Sequence, residues 1–152
     1  MDVTIRDAEP GDSSSLDVLR AQAIKAAFED EYDRTTVGDL VATVDEELPA
    51  WIDDDRYLVA VAETAVTPVS YGVLDQQNAT LLSVVTSPDY WREGFGSVIL
   101  SRLETTATER GHESLSAIVP HAMRPFFHAS GFERTGTAEW YGLSGVRLRK
   151  SL

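Results

Sequence analysis

Cysteine is absent from the 152-residue sequence, which excludes disulfides, thiolate metal sites and a cysteine nucleophile. No apolar run approaches the length of about 20 residues that a membrane-spanning helix needs. No signal-peptide pattern opens the chain either. We therefore expect one domain over residues 1–152 that works in the cytoplasm, with no metal and no membrane partner.

Lysine is also scarce, because every basic residue except Lys25 and Lys150 is an arginine. Acidic residues outnumber basic ones by 25 to 13, and the net charge is −12. Such a charge repels phosphate backbones, so nucleic acid is not an expected partner. The surplus of aspartate and glutamate is typical of salt-loving archaea, where salt screens the self-repulsion, although an ordinary acidic bacterial protein is the alternative.

The spacing of apolar residues predicts a mixed α/β fold in the order strand, two helices, three strands, helix, strand, helix, two strands. Pro49 is expected to stop the second helix, and Gly111 to cap the third. The predicted strands are a first one around Val3–Ile5, then 57–63, 69–74, 79–86, 115–119, 132–134 and 143–149. The predicted helices run from about residue 13 to 28, 37 to 48, 95 to 110 and 121 to 129.

A turn at Thr86–Ser97 joins a predicted strand to a predicted helix. Gly94 and Gly96 allow backbone conformations closed to other residues, and the helix N-terminus attracts anions such as a pyrophosphate. Arg92 adds a positive charge. A simple tight turn explains a lone Gly-x-Gly about equally well. No Gly-Lys-Ser/Thr follows, which excludes a Walker loop, and the late position of the turn disfavours a dinucleotide fold.

Three segments resemble the GNAT superfamily of N-acetyltransferases, and the likeness spans nearly the whole chain. The opening Thr4–Asp12 is similar to the first strand and turn of the family. Pro88, Tyr90, Gly94 and Gly96 fall in place in the central Gln/Arg-x-x-Gly-x-Gly/Ala signature that follows Pro-x-Tyr. The late segment Phe126–Phe132 is similar to the Phe-Tyr-x-x-x-Gly-Phe of the family.

This resemblance implies a GNAT fold. It is a mixed, mostly antiparallel sheet of about six to seven strands, with about four helices on both faces, splayed between the fourth and fifth strands. Acetyl-CoA would then lie in the gap between Val84–Thr86, where a bulge is expected, and the strand at 115–119. A backbone amide, of Val85 or Thr86, would stabilise the oxyanion. The cofactor contacts expected from the resemblance are Val84, Val85, Thr86, Trp91, Arg92, Glu93, Gly94, Phe95, Gly96, Ser97 and Phe127.

Two residues depart from the pattern of the family. Trp91 occupies the Gln/Arg position, and Phe127 stands where many members carry a tyrosine that is thought to protonate the departing thiolate. The general acid is therefore missing, although a thiol pKa near ~8.5 makes departure as thiolate tolerable. A protonated amine still needs a base, and His121 is the candidate for this role. The simpler interpretation is that His121 is an ordinary surface histidine.

The resemblance implies transfer of an acetyl group to a small-molecule or peptide amine, with a homodimer as a possible assembly. The acceptor pocket should come from the first two helices and their joining loop. The acidic run Glu29–Asp33 there could receive a cationic amine or could simply be solvated surface. Two other classes remain open, because Trp91 and Phe127 are atypical: a non-catalytic acyl-CoA-binding sensor, and an interaction protein that has lost the cofactor.

Overall fold

The computed structural model describes residues 3–44 and 47–152. Its strands are β1 Thr4–Asp7, β2 Tyr57–Glu63, β3 Pro68–Asp75, β4 Thr80–Thr86, β5 Ser114–Pro120, β6 Glu133–Trp140 and β7 Leu143–Ser151. They form one seven-stranded sheet in the spatial order β1-β2-β3-β4-β5-β7-β6. Neighbouring strands are antiparallel except for β4 and β5, which run parallel.

Helices cover both faces of this sheet. Their bounds are α1 Ser13–Phe28, α2 Arg34–Val44, α3 Glu47–Asp53, α4 Phe95–Glu109 and α5 Arg124–Ala129. One core joins α1 and α3 to β2 and β3, and a second joins α4 and α5 to the other face. Within the described ranges, no helix is both long and apolar enough to cross a bilayer. The expected fold class, a mixed and mostly antiparallel sheet with helices on both faces, is confirmed.

Strand β2 is apolar without interruption from Leu58 to Ala62 because both of its faces are buried. Alternate residues of β2 point to opposite sides of the sheet. Leu58, Ala60 and Ala62 belong to the core on the α4 side, whereas Val59 and Val61 belong to the core on the α1 side. Burial on two sides explains why a run of apolar residues, rather than an alternating pattern, marks this strand.

The second helix differs from the sequence prediction at both ends. It begins at Arg34 because Asp33 Oδ1 accepts a hydrogen bond from the Thr36 N–H at 2.7 Å, which caps the first turn. Pro49 does not stop it, since Pro49 lies in the first turn of the separate helix α3, where its missing N–H costs nothing. Residues 45 and 46, which the predicted helix included, lie outside the described residues.

The sixth strand is longer than predicted. The sequence indicated a strand over 132–134, but β6 continues to Trp140 and pairs with β7 along that length. Its burial alternates only weakly because it is the edge strand of the sheet. The extension matters because it carries Trp140 to within 5.6 Å of Phe28 on α1, measured between ring centroids.

Helix α4 lies so close to β3 that only glycine fits at one position of the strand. A Cβ atom on Gly72 would stand 2.5 Å from Ile99 Cγ2 and 2.9 Å from Leu103 Cδ1. Both of these side chains are fully buried and have no free space to move into. This approach fixes the distance between α4 and the sheet.

We predict that Gly72→Ala lowers the free energy of unfolding by about 1–3 kcal/mol, because the added methyl overpacks the contact with α4. Gly38→Ala is the matched control, since Gly38 lies in α2 and nothing would stand within 4 Å of its Cβ. The control should gain about 0.5–1 kcal/mol from helix propensity. Urea unfolding measures both variants, and equal effects at the two sites would contradict the close packing at Gly72.

Candidate active site

The sheet opens between β4 and β5. These parallel strands are paired only at Thr80 with Ser116 and at Leu81 with Ala117, and they separate beyond that point. The splay expected between the fourth and fifth strands is therefore present. The register of β4 against β3 shifts between Leu81 and Ser83, which makes Leu82 the extra, bulged residue. The bulge thus precedes the Val84–Thr86 segment where the sequence analysis placed it.

Hydrogen bonding along β4 decides which amides face the gap. The Ser87 N–H donates to the Val69 carbonyl at 2.8 Å, and Tyr71 lies opposite Val85 in the same register. Because hydrogen-bonded pairs alternate in an antiparallel ladder, the Val85 N–H points to β3, whereas the Val84 and Thr86 N–H groups point into the gap. The ladder therefore favours Thr86 over Val85 as the oxyanion donor.

The turn after β4 is held in an uncommon backbone conformation. Arg92 has φ 67° and Gly94 has φ 88°, both in the left-handed region. A non-glycine residue in that region is strained, and such strain is found at functional sites. No side chain caps α4, and its first internal bond runs from the Val98 N–H to the Gly94 carbonyl. The amides at positions 95–97 therefore lie at the uncapped start of α4, which is the kind of position where anions bind in other proteins.

Trp91, which stands in the Gln/Arg position of the family signature, ties the turn to the strand. Its Nε1 donates to the Thr86 carbonyl at 2.8 Å, and the side chain is 42% exposed. Gly96 is confined from the other side, because a Cβ there would stand 3.2 Å from the Phe126 ring. The turn is therefore fixed against both β4 and α5.

A cavity of about 590 Å³ runs from this turn through the gap to α1. Seven of the expected cofactor contacts line it: Val84, Val85, Thr86, Trp91, Arg92, Gly96 and Phe127. The other four, Glu93, Gly94, Phe95 and Ser97, belong to the turn and to the start of α4 and are not among the lining residues.

Phe127 closes one wall of the cavity as part of the apolar core. The side chain is 2% exposed and packs edge-on against Phe126 and Phe132, with ring centroids 5.1 and 5.3 Å away. It carries no group that can give or take a proton. The protein therefore has a hydrocarbon surface where many relatives are expected to present a phenol.

His121 does not face the cavity. The side chain is exposed, its Nε2 lies 3.0 Å from Ser144 Oγ on β7, and it is not among the lining residues. This placement argues against the role of base that the sequence suggested. Pro120 and Ala122 on either side of it do line the cavity, so chain position alone could not tell the three apart.

One part of the cavity is lined by α1 and by the tip of β6. Ile24 and Phe28 of α1 and Trp140 of β6 line it, and none of the described residues of α2 does. From the sequence we expected the acceptor pocket to be formed by the first two helices and their joining loop, without a contribution from β6. In the acidic run Glu29–Asp33 every carboxylate is exposed and none lines the cavity.

A buried arginine lines this same part of the cavity. Arg20 is 4% exposed, and its guanidinium donates to the Val44 carbonyl and to Tyr141 Oη, each at 3.2 Å. Glu47 forms an ion pair with Arg20 at 3.1 Å and accepts a hydrogen bond from the Tyr141 hydroxyl at 2.6 Å. The positive charge is thus offset inside the protein. No local pattern of the sequence indicated this cluster, because its members lie far apart in the chain.

Burial, together with the hydrogen bond to Glu47, raises the pKa of Tyr141 to about 12. Burial likewise raises the pKa of Tyr71, whose side chain is fully buried beneath the cavity. Both phenols therefore stay protonated at neutral pH. Among the described residues, no group of three or more His, Asp or Glu side chains could hold a metal ion.

Comparison with known proteins agrees with this geometry. The family model described as "Acetyltransferase (GNAT) domain" matches residues 22–152. Since that is most of the chain, the protein belongs to the GNAT acetyltransferase family. No curated protein sequence matches the chain.

Several solved structures share the fold at low sequence identity. The PaiA N-acetyltransferase of Thermoplasma acidophilum, solved in complex with coenzyme A, is 18% identical over 100% of both chains, with a TM-score of 0.90. A GCN5-related N-acetyltransferase of Rhodopseudomonas palustris is 20% identical over 100% of this chain and 97% of its own, with a TM-score of 0.87. The yncA protein of Salmonella typhimurium, solved with acetyl-CoA, is 21% identical over 100% of this chain and 95% of its own, with a TM-score of 0.67.

Tyr141 gives a test of the Arg20 cluster. Because the folded pKa of Tyr141, about 12, exceeds the ordinary tyrosine value of 10.0, the stabilisation that its protonated phenol gives is fully present below pH 10 and is lost as the pH rises toward 12. Tyr141→Phe should cost about 1–2 kcal/mol at pH 7 through the lost hydrogen bond. Urea unfolding between pH 8 and 11.5 should show a shallower loss in the variant. Parallel pH profiles would show that Tyr141 is not buried against Glu47.

Proposed function

We propose that this protein transfers the acetyl group of acetyl-CoA to a primary amine, with both substrates bound at once. The supporting observation is the gap between β4 and β5. It opens beyond the two residue pairs that join these strands, and it leads to the turn before α4, whose first amides have no side-chain cap. Two of the similar structures were solved with coenzyme A or acetyl-CoA, which supports the same cosubstrate here.

The residues present suit a thioester substrate with a diphosphate. The uncapped amides of α4 and the Arg92 guanidinium would bind the diphosphate, in a protein whose net charge is otherwise strongly negative. The extended arm would lie in the gap and bond to the Val84 and Thr86 amides as an added strand would. The Thr86 N–H would then donate to the thioester carbonyl oxygen as it gains negative charge.

Proton transfer would depend on the reactants rather than on a side chain of the cavity. The amine has to be neutral when its nitrogen attacks the thioester carbonyl carbon. The carbon–sulfur bond then breaks, the coenzyme leaves as thiolate because its thiol pKa is near ~8.5, and the proton lost from nitrogen passes to this thiolate or to water. A positioned acid contributes ~10²-fold or more to the rate of an enzyme that has one, so a hydrocarbon ring at Phe127 slows turnover without preventing it.

A non-catalytic acyl-CoA sensor is the alternative that Trp91 and Phe127 suggested. The cavity continues past the gap to α1 and Trp140, which leaves room for a second substrate that a sensor does not need. Release of free coenzyme thiol in the presence of amines separates the two functions. Tight binding of acetyl-CoA without release for any amine would favour the sensor.

We also propose that the protein works at high salt and that two copies pair. The proposal of high salt rests on the net charge of −12, because salt would screen the self-repulsion of this charge. The proposal of a pair rests on the resemblance to the family. Thermal unfolding in low and high KCl, together with light scattering, measures both. A monomer that is equally stable at all salt concentrations would contradict them.

Gly94→Glu should weaken acetyl-CoA binding at least 100-fold, because it places a negative charge beside the diphosphate and strains a residue with φ 88°. Gly111→Glu is the matched control, since Gly111 has φ 87°, lies just beyond the other end of α4 and has open space around it. Calorimetry with acetyl-CoA should show the loss only for Gly94→Glu. Equal affinity of the two variants would mean that the turn does not bind the phosphates.

His121→Ala should leave both the rate of thiol release and its pH profile unchanged, because the imidazole contacts Ser144 outside the cavity. The measurement is kcat/KM for one amine between pH 6 and 9. Loss of a titration near the ordinary histidine pKa of about 6.5 would restore His121 as the base.

A further inference from the structure

We infer that the acceptor is a primary amine on an apolar, ring-bearing body without a second charge, and that it enters the cavity already neutral. This inference rests on the function proposed above and concerns the part of the cavity lined by α1 and β6.

The walls of this part are hydrocarbon. Ile24 and Phe28 of α1 face the cavity together with Trp140 of β6, and the Phe28 and Trp140 rings lie 5.6 Å apart at 36°. Ala23 and Ala27 line the same side of α1 and leave room in front of the rings. A ring or branched chain carried by the acceptor would be removed from water against these groups.

The charge around the cavity is opposite to the charge of the protein. The sequence has 25 acidic residues, yet none of those in residues 3–44 and 47–152 lines the cavity. The charged side chains that do line it are Arg20 and Arg92. An ammonium ion would therefore give up hydration without gaining a counter-ion from the described lining. Polyamines and other polycations are poor candidates for the acceptor.

Arg20 does not make the site a carboxylate receptor either. Its guanidinium already contacts Glu47, Tyr141 and the Val44 carbonyl, and only 4% of the residue is exposed. A second anionic group on the acceptor would compete with Glu47 for a charge that is already satisfied. An acceptor without a carboxylate fits this arrangement better.

Among residues 3–44 and 47–152, no group in the lining could take a proton from an ammonium ion. In the part of the chain that the structure describes, the hydroxyl groups of the lining belong to Ser83 and Thr86, and no imidazole or carboxylate is present. The neutral fraction in solution then limits the reaction. At about pH 7.4 it is roughly 300-fold larger for an α-amine of pKa ~7.8 than for an alkyl amine of pKa ~10.4.

A panel of four amines separates these requirements by release of coenzyme thiol. Phenylalaninamide carries an aromatic ring and a weakly basic amine, and glycinamide has a similar amine without the ring. 2-Phenylethylamine carries the ring with a more basic amine, and spermidine is a polycation. We expect kcat/KM for phenylalaninamide to exceed that for glycinamide by about 10- to 100-fold, through burial of the ring. For 2-phenylethylamine it should rise about tenfold per pH unit from 7 to 9.

Ala27→Asp places a carboxylate in the cavity and should change the preference. We expect kcat/KM for phenylalaninamide to fall about 10-fold or more and turnover of spermidine to rise. Val18→Asp is the control on the same helix, since Val18 is 58% exposed and does not line the cavity, and it should change neither rate. Acetyl-CoA affinity and thermal unfolding check that both variants are folded.

The outcomes distinguish this inference from the proposed function. Failure of the wild-type protein to bind acetyl-CoA would overturn both. Intact binding with spermidine or glycinamide preferred, or with no turnover of phenylalaninamide, would overturn the acceptor class and leave the cofactor site standing. A rate for 2-phenylethylamine that does not change with pH would show that a base inside the protein removes the proton.

Discussion

The separation of β4 from β5 is the constraint on which the rest of the site depends. A parallel pair that ends after two residues leaves backbone donors of β4 without strand partners, which is costly in a folded core unless a ligand or water satisfies them. Leu82 starts the separation, because one extra residue in β4 bends the strand and increases its twist. The opening therefore arises from the backbone, and the side chains around it determine what it can hold.

The turn that follows β4 shows how the surrounding structure maintains strain. Arg92 occupies a backbone conformation that costs about 1–3 kcal/mol for a residue of its type. The indole of Trp91 holds one end of the turn to Thr86, and the close contact of Gly96 with Phe126 holds the other. In this protein the tryptophan at the signature position thus contributes to the shape of the turn. The fixed amides of α4 remain free for an anion.

Charge is distributed unevenly over the molecule. Most acidic residues of the described chain are exposed, whereas the charged side chains of the described cavity lining are Arg20 and Arg92. Such a division would suit an anionic cosubstrate in a strongly acidic protein. It would also disfavour an ammonium ion in the cavity, because burial without a counter-ion penalises the charged form.

The sequence by itself determined the order of the strands, the family and the glycine-bearing turn before α4, because these depend on local patterns such as apolar runs and the pair Gly94 and Gly96. It did not separate α3 from the second helix. The tertiary structure decided what depends on contacts between distant residues. The direction of the Thr86 amide follows from the register of β4 against β3. His121 is kept out of the cavity because its side chain contacts Ser144 of β7. Arg20 meets Glu47 and Tyr141 across separations of 27 and 121 positions in the chain, which no local pattern encodes.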